Sequence, residues 1–89
     1  MDELTPPPPC EATAHSRRIE LRFADDRPRR LEVWRREGDT AGWELITTTG
    51  RPTFVDRPTK PGQYYEYRTR EVREAAASEF SRSTVVYGR

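Results

Sequence analysis

From Arg17 to Phe23 the chain reads RRIELRF, which places Ile19, Leu21 and Phe23 on one side of an extended backbone and Arg18, Glu20 and Arg22 on the other. Alternation of this kind gives one apolar face and one charged face, the requirement of a strand with a single covered side. The same period returns through most of the chain and is cut by turn-forming residues at short intervals. Antiparallel sheets with one face packed and one solvated satisfy that pattern.

The elements follow in order. CEATAHS, Cys10 to Ser16, is a weak first strand and RRIELRF a strong second one. ADDRP, Ala24 to Pro28, is a turn, because its aspartates tolerate turn geometry and its proline ends pairing. RLEVWRR, Arg30 to Arg36, is a third strand with Leu31 and Val33 inward and Glu32, Trp34 and Arg36 outward. EGDTAG turns the chain again. WELITTT, Trp43 to Thr49, is a fourth strand of ambiguous facing, since the adjacent Leu45 and Ile46 cannot both point inward. TFVD is a short fifth strand, QYYEYRTREV a long sixth and FSRSTVVY, Phe80 to Tyr87, the seventh. REVREAAASE between the last two has helix formers but no apolar stripe, so it reads as a loop with at most one helical turn.

Ahead of the first strand, residues 1–9 contain TPPPP, four successive residues without an amide donor. They predict a polyproline II arm over residues 1–9 and a domain over residues 10–89. The arm, Pro6 to Pro9 in particular, is either a stiff leader into the first strand or a strap that docks on an assembly neighbour.

Strands with turn signals about every 8 to 12 residues indicate an immunoglobulin-like sandwich. The sequence resembles the fibronectin type III domain over about Pro8 to Tyr87, through IELRF, LEVWRR, TFVD, PGQYYEYRTREV and SEFS. Its most specific element is Pro61-Gly62 followed by Tyr65, similar to the tyrosine corner of that family. The resemblance implies a seven-stranded all-β antiparallel sandwich. It also implies that the Tyr65 hydroxyl bonds to backbone in the preceding loop, that Tyr65, Tyr67 and Thr69 face the core, and that Tyr64, Glu66, Arg68 and Arg70 face out. Phe23 stands where the family's tryptophan is usual, Leu31 where an aromatic is usual, and Glu71 where a small apolar residue is usual. A buried carboxylate needs a partner, so Glu71 is expected at the end of the sandwich beside Arg73 or another arginine. ASEFS, Ala77 to Ser81, occupies the place of the WSxWS ladder of cytokine receptors without either of its tryptophans, and no receptor function follows.

With 89 residues the chain buries only about 60 to 65% of its unfolded surface, too little for a deep cleft. His15 is the only imidazole and lies at the turn between the first two strands, with no nucleophile marked beside it; Asp25 and Asp26 lie in a turn, and there is no Gly-rich phosphate loop. Cys10 and His15 cannot complete a zinc site, and Cys10 is the only cysteine. No catalytic residue, cofactor or metal is expected, and the chain does not read as an enzyme.

Sixteen basic and fifteen acidic residues leave a net charge of +1, no field to steer the chain onto nucleic acid or an anionic membrane. The densest basic region, Arg27, Arg29, Arg30, Arg35 and Arg36, is interrupted by Glu32 and Glu37 and reads as a solvated charged face. Arg-Gly-Asp is absent; EGD at Glu37 to Asp39 is a near miss. No secretory signal or membrane span is legible.

What remains is a protein partner. Trp34, Arg36, Tyr64, Arg68 and Arg70 are the candidate contact residues, because tryptophan, tyrosine and arginine dominate binding hot spots; Phe23, Tyr65 and Tyr67 are structural. Trp34 is expected beside Arg68 and Arg70, either as a cross-strand stack or as an anchor. The expected function is a structural or protein-interaction module, a spacer or adhesion domain of a bacterial surface or secreted protein. The alternative is a subunit decorating a phage or virus particle.

Overall fold

The computed structural model describes residues 4–24, 29–39 and 41–89. The expected turn at Ala24 to Pro28, with Asp25, Asp26 and Arg27, lies outside these residues apart from Ala24.

Among the described residues eight strands form two antiparallel sheets. β1 (Glu11–His15), β2 (Arg18–Arg22) and β5 (Thr53–Asp56) make one, in the order β1-β2-β5. β3 (Leu31–Glu37), β4 (Glu44–Thr49), β6 (Tyr64–Arg73), β7 (Ala76–Ala77) and β8 (Thr84–Tyr87) make the other, in the order β4-β3-β6-β7, with β8 also paired to β6. The two apolar faces meet in a core of Cys10, Ile19, Leu21, Phe23, Leu31, Val33, Tyr65 and Tyr67. Ala12, Ala14, Ile46, Phe54 and Val86 pack against it. Inward residues on β2 and β3 fall as the alternation predicts and those on β6, Thr69 included, as the resemblance implies, while the outward-expected Glu66 is also buried, beneath Arg36 and Tyr64.

Three elements differ from expectation. The 74–77 segment holds no helical turn: Glu74 takes a positive φ of 53° and the chain reverses into β7, whose Ala77 pairs Val72. The last strand is confined to Thr84–Tyr87, because residues 78–83 run beside β6 without a regular ladder. There Ser78 N and Ser81 N donate to Glu71 O and Thr69 O, while the serine hydroxyls accept from Glu71 N and Thr69 N. The two serines thereby satisfy strand groups that a straight neighbouring strand would have satisfied. Finally, the register of β3 with β4 shifts between Val33 and Trp34, pairing Val33 with Thr47 and Trp34 with Leu45. The shift resolves the Leu45/Ile46 conflict: Ile46 packs on the core and Leu45 is exposed.

The corner before β6 is closed as the resemblance implies. Lys60 N donates to the Tyr65 hydroxyl at 2.7 Å, Gly62 takes a φ of 76°, and Gly62 N and Gly88 N bond to Gly88 O and Gln63 O. Arg17, at φ 62°, is held by its N–H donating to Arg89 O and its carbonyl accepting from Thr59 N. The arm lies along its own domain: Pro7 is buried, and the Arg29 guanidinium donates to Thr5 O and Thr5 Oγ1.

Glu71 is buried, 3.1 Å from Arg73 and 3.4 Å from Arg29, so the register that places it inward stands with the charge compensated. Arg35 and Arg29 depart from the solvated face expected of the basic region. Arg35 occupies an inward position of β3 and reaches across the sandwich to Asp56 at 2.9 Å, while the Arg29 side chain is buried against Glu71. His15 closes β1, paired with Arg18.

Candidate functional site

The outer face of the larger sheet is set by one register. β3 presents Glu32, Trp34 and Arg36, and β6 presents Arg70, Arg68 and Glu66 directly opposite them. Facing residues in an antiparallel pair are close enough to interact. Both ends of this row are therefore ion pairs: Arg70 Nε to Glu32 Oε1 at 2.6 Å and Arg36 Nε to Glu66 Oε1 at 2.7 Å. The middle position sets Trp34 against Arg68 and has no carboxylate.

Two rings from outside the row fill that position. Trp43, just ahead of β4, and Phe80, in the 78–83 segment, lie on the Arg68 guanidinium, 4.1 Å and 3.9 Å from ring centroid to guanidinium carbon. Arg36 also lies over Trp43 at 5.2 Å, and Arg70 lies over Phe80 at 5.0 Å and over Trp34 at 5.8 Å. Trp34 meets Phe80 edge to face with centroids 5.9 Å apart, and its indole N–H donates to Glu32 Oε1 at 3.0 Å. The result is a continuous ladder: Trp34, Arg70, Phe80, Arg68, Trp43, Arg36. Guanidinium planes on aromatic faces are favourable electrostatically and shield the rings from water.

The candidates Trp34, Arg36, Arg68 and Arg70 thus come together, with one correction: the Arg68 guanidinium rests on Trp43 and Phe80, and Arg70 is the arginine that reaches Trp34. Tyr64 lies on the same face beyond the ladder. Its hydroxyl donates to Glu66 Oε1 at 2.8 Å and its ring meets Tyr87 edge to face at 5.8 Å. Trp43 and Phe80 are the ladder residues that sequence reasoning missed. SEFS carried the signal for Phe80, since the two serines bonded to β6 hold the ring between them over that strand.

The charges respond to this packing. Burial pulls the Arg68 guanidinium below its ordinary range, against the pull of Glu66 and with the help of its neighbours Arg36 and Arg70. Burial works to raise Glu32, but hydrogen bonds from Arg70 and Trp34 prevail and hold its carboxyl below the usual range. A Ser83 hydrogen bond, opposed by burial and joined by Tyr64 and Arg36, does the same for Glu66. Depressed carboxyl groups contribute stability that is present above the unfolded pKa of about 4.3 and is lost as pH falls through the lower folded values. Thermal melts between about pH 4.5 and pH 2.5 should accordingly fall more steeply for the wild type than for E32Q/E66Q; equal slopes would mean that these carboxylates add nothing.

Removing the ring shared by two arginines gives the ladder's energetic test. Trp43→Ala should lower unfolding free energy in urea by about 1 to 2 kcal/mol, two half-buried cation–π contacts taken at about 0.5 to 1 kcal/mol each, the lower part of their range. An unchanged midpoint would mean that the stack holds nothing.

No family model matches the sequence, and no curated protein matches it. Solved structures do. The chain superposes on the fourth fibronectin type III domain of a human protein with a TM-score of 0.83 at 20% identity, covering 98% of this chain and 80% of that one. The sixth fibronectin type III domain of human fibronectin type III domain containing protein 3 gives 0.81 at 10% identity over 99% and 88%. A β-1,2-glucanase from Parabacteroides distasonis gives 0.80 at 17% identity over 97% of this chain, which spans only 13% of the glucanase. The fold is that of a fibronectin type III domain, an immunoglobulin-like all-β sandwich.

Proposed function

We propose that this chain is a non-catalytic module of a bacterial surface or secreted protein that holds its neighbours in position and binds a protein partner through the outer face of the larger sheet. The observation that carries the reading is the apolar rim around the ladder: Leu45, Val85 and Tyr87 are 44, 49 and 60% exposed on the face where the rings and arginines are already ordered. Pre-ordered aromatic and arginine side chains lose little entropy when covered, which favours binding over mere solvation. The spacer role is supported by the glucanase, in which a domain of this fold is a small part of a long bacterial chain. The arm packed on its own domain through Pro7 and Thr5 favours a leader over a strap reaching to a particle neighbour.

A photo-crosslinking amino acid at Val85 tests the face, with Val55, exposed on the opposite sheet, as its control. In the producing cell a discrete adduct should form from position 85 and not from 55. Equal labelling from both positions, or none, would end this reading.

A further inference from the structure

The middle rung of the ladder differs from the other two in a way that specifies a ligand. Arg36 and Arg70 each hold a carboxylate, Glu66 and Glu32, whereas among the described residues Arg68 makes no ion pair and no hydrogen bond. The Trp43 and Phe80 rings both pack on its guanidinium, 4.1 Å and 3.9 Å from its carbon, which narrows the approach of water to the plane. Nε is sealed from solvent without an acceptor, while neither terminal nitrogen is both buried and unpartnered. The two terminal nitrogens therefore reach solvent as unfilled in-plane donors. We propose that Arg68 is the receptor for a single carboxylate, an aspartate or glutamate side chain of the partner, which enters edge-on between Trp43 and Phe80. This rests on the docking face proposed above and gives its central contact.

The charge count explains why one carboxylate fits and a polyanion does not. Arg36, Arg68 and Arg70 against Glu32 and Glu66 leave one positive charge, located at the centre of the row. Further negative charges on a ligand would lie over Glu32 or Glu66 and be repelled. A planar guanidinium matches a carboxylate through two parallel hydrogen bonds. Because the stack has already narrowed the approach of water and fixed its orientation, the pair forms with little further ordering. Leu45, opposite Trp34, and Val85, opposite Glu66, then offer apolar contact to the residues flanking the acid.

The isolated protein allows a test without knowledge of the partner. Titration of the 15N-labelled wild type with N-acetyl-L-glutamate should shift the Arg68 Nε–Hε and Trp43 Nε1–H signals saturably, and the uncharged N-acetyl-L-glutamine should not. Arg68→Gln should abolish the shift, and Arg68→Lys, which keeps the charge but loses the fork, should weaken binding several-fold. No saturable shift in the wild type, an equal response to the amide, or tighter binding of a heparin tetrasaccharide at the same residues would overturn the proposal. The Val85 crosslinker separates this failure from failure of the docking face. Adducts that persist in the Arg68→Gln background leave the face standing without the carboxylate site, absence of adducts in the wild type removes the face itself, and an adduct reduced at least tenfold by Arg68→Gln supports both.

Discussion

Asp56→Ala should cost about 3 to 5 kcal/mol in urea unfolding, a large loss for a single side chain. Asp56 ends β5 in the smaller sheet at 5% exposure and accepts from two groups of the larger one. Arg35 Nη1 donates to its two oxygens at 2.9 and 3.0 Å, and the Tyr67 hydroxyl donates to Oδ2 at 2.6 Å. Alanine removes the acceptor from a fully buried phenol and leaves the inward-facing guanidinium with only the exposed Glu44 at 3.7 Å. Burial, and then the hydrogen bond and charge of Asp56, drive the Tyr67 hydroxyl far above its ordinary range, so the phenol stays a neutral donor at every pH of interest. A small domain is stable by about 5 to 15 kcal/mol, so this one change removes much of the total.

The cost comes from unpaired partners more than from the intrinsic worth of the bridge, and a second variant separates the two. Breaking one half of a buried pair is expensive, but exchanging the whole group for apolar residues of similar volume is often neutral. The triple variant Asp56→Leu, Arg35→Met, Tyr67→Phe should therefore recover most of what Asp56→Ala loses, measured by the same urea midpoints. If the triple variant is as unstable as the single one, the polar cluster itself joins the sheets.

Most of the framework was legible because period-two alternation fixes facing once one face is covered. Ile19, Leu21 and Val33 lie in the core for that reason, and Tyr65 and Tyr67 lie there as the fibronectin type III resemblance implies. The Tyr65 corner was readable from Pro61, Gly62 and Tyr65 through the fibronectin type III resemblance, which implies the bond that the hydroxyl makes with Lys60 N. Arg35 was not. A charged residue at an inward position violates the pattern, and its partner Asp56 is distant in sequence on the other sheet, so only the third dimension joins them.

The site divides in the same way. Trp34 and Arg36 follow from strand alternation, Arg68 and Arg70 from the facing that the resemblance implies, and all four came out on one face. Trp43 and Phe80 lie outside the regular strands, where periodicity has no hold, and the register shift at Val33/Trp34 conceals the facing of everything before Ile46. Two rings that complete the ladder were therefore read as strand ends. Arg68's lack of a carboxylate is likewise a property of register, visible only when β3 and β6 are aligned residue against residue.

Gly88→Ala should destabilise the domain by about 2 to 3 kcal/mol, near the upper end for overpacking, although the change adds only a single methyl group. A Cβ at position 88 would overlap Lys60 O and crowd Lys60 C at 3.0 Å and the Tyr65 ring at 3.2 Å. Those atoms are backbone and a fully buried side chain, so neither can swing away as a flexible surface group would. Relief requires separating the C-terminal strand from the corner, which strains the bonds from Gly62 N to Gly88 O and from Gly88 N to Gln63 O and the Lys60 N–H to Tyr65 hydroxyl bond together. Gly42→Ala, where nothing lies within 4 Å of the added carbon, is the matched control and should stay within about 0.5 kcal/mol of wild type. Amide exchange locates the damage: Lys60, Gly62 and Gly88 should lose protection in Gly88→Ala while Leu21 and Val33 keep theirs relative to the new global stability. A global midpoint unchanged from wild type would mean that the corner accommodates the methyl group and that the close approach of Gly88 to Lys60 does not hold the C-terminal strand.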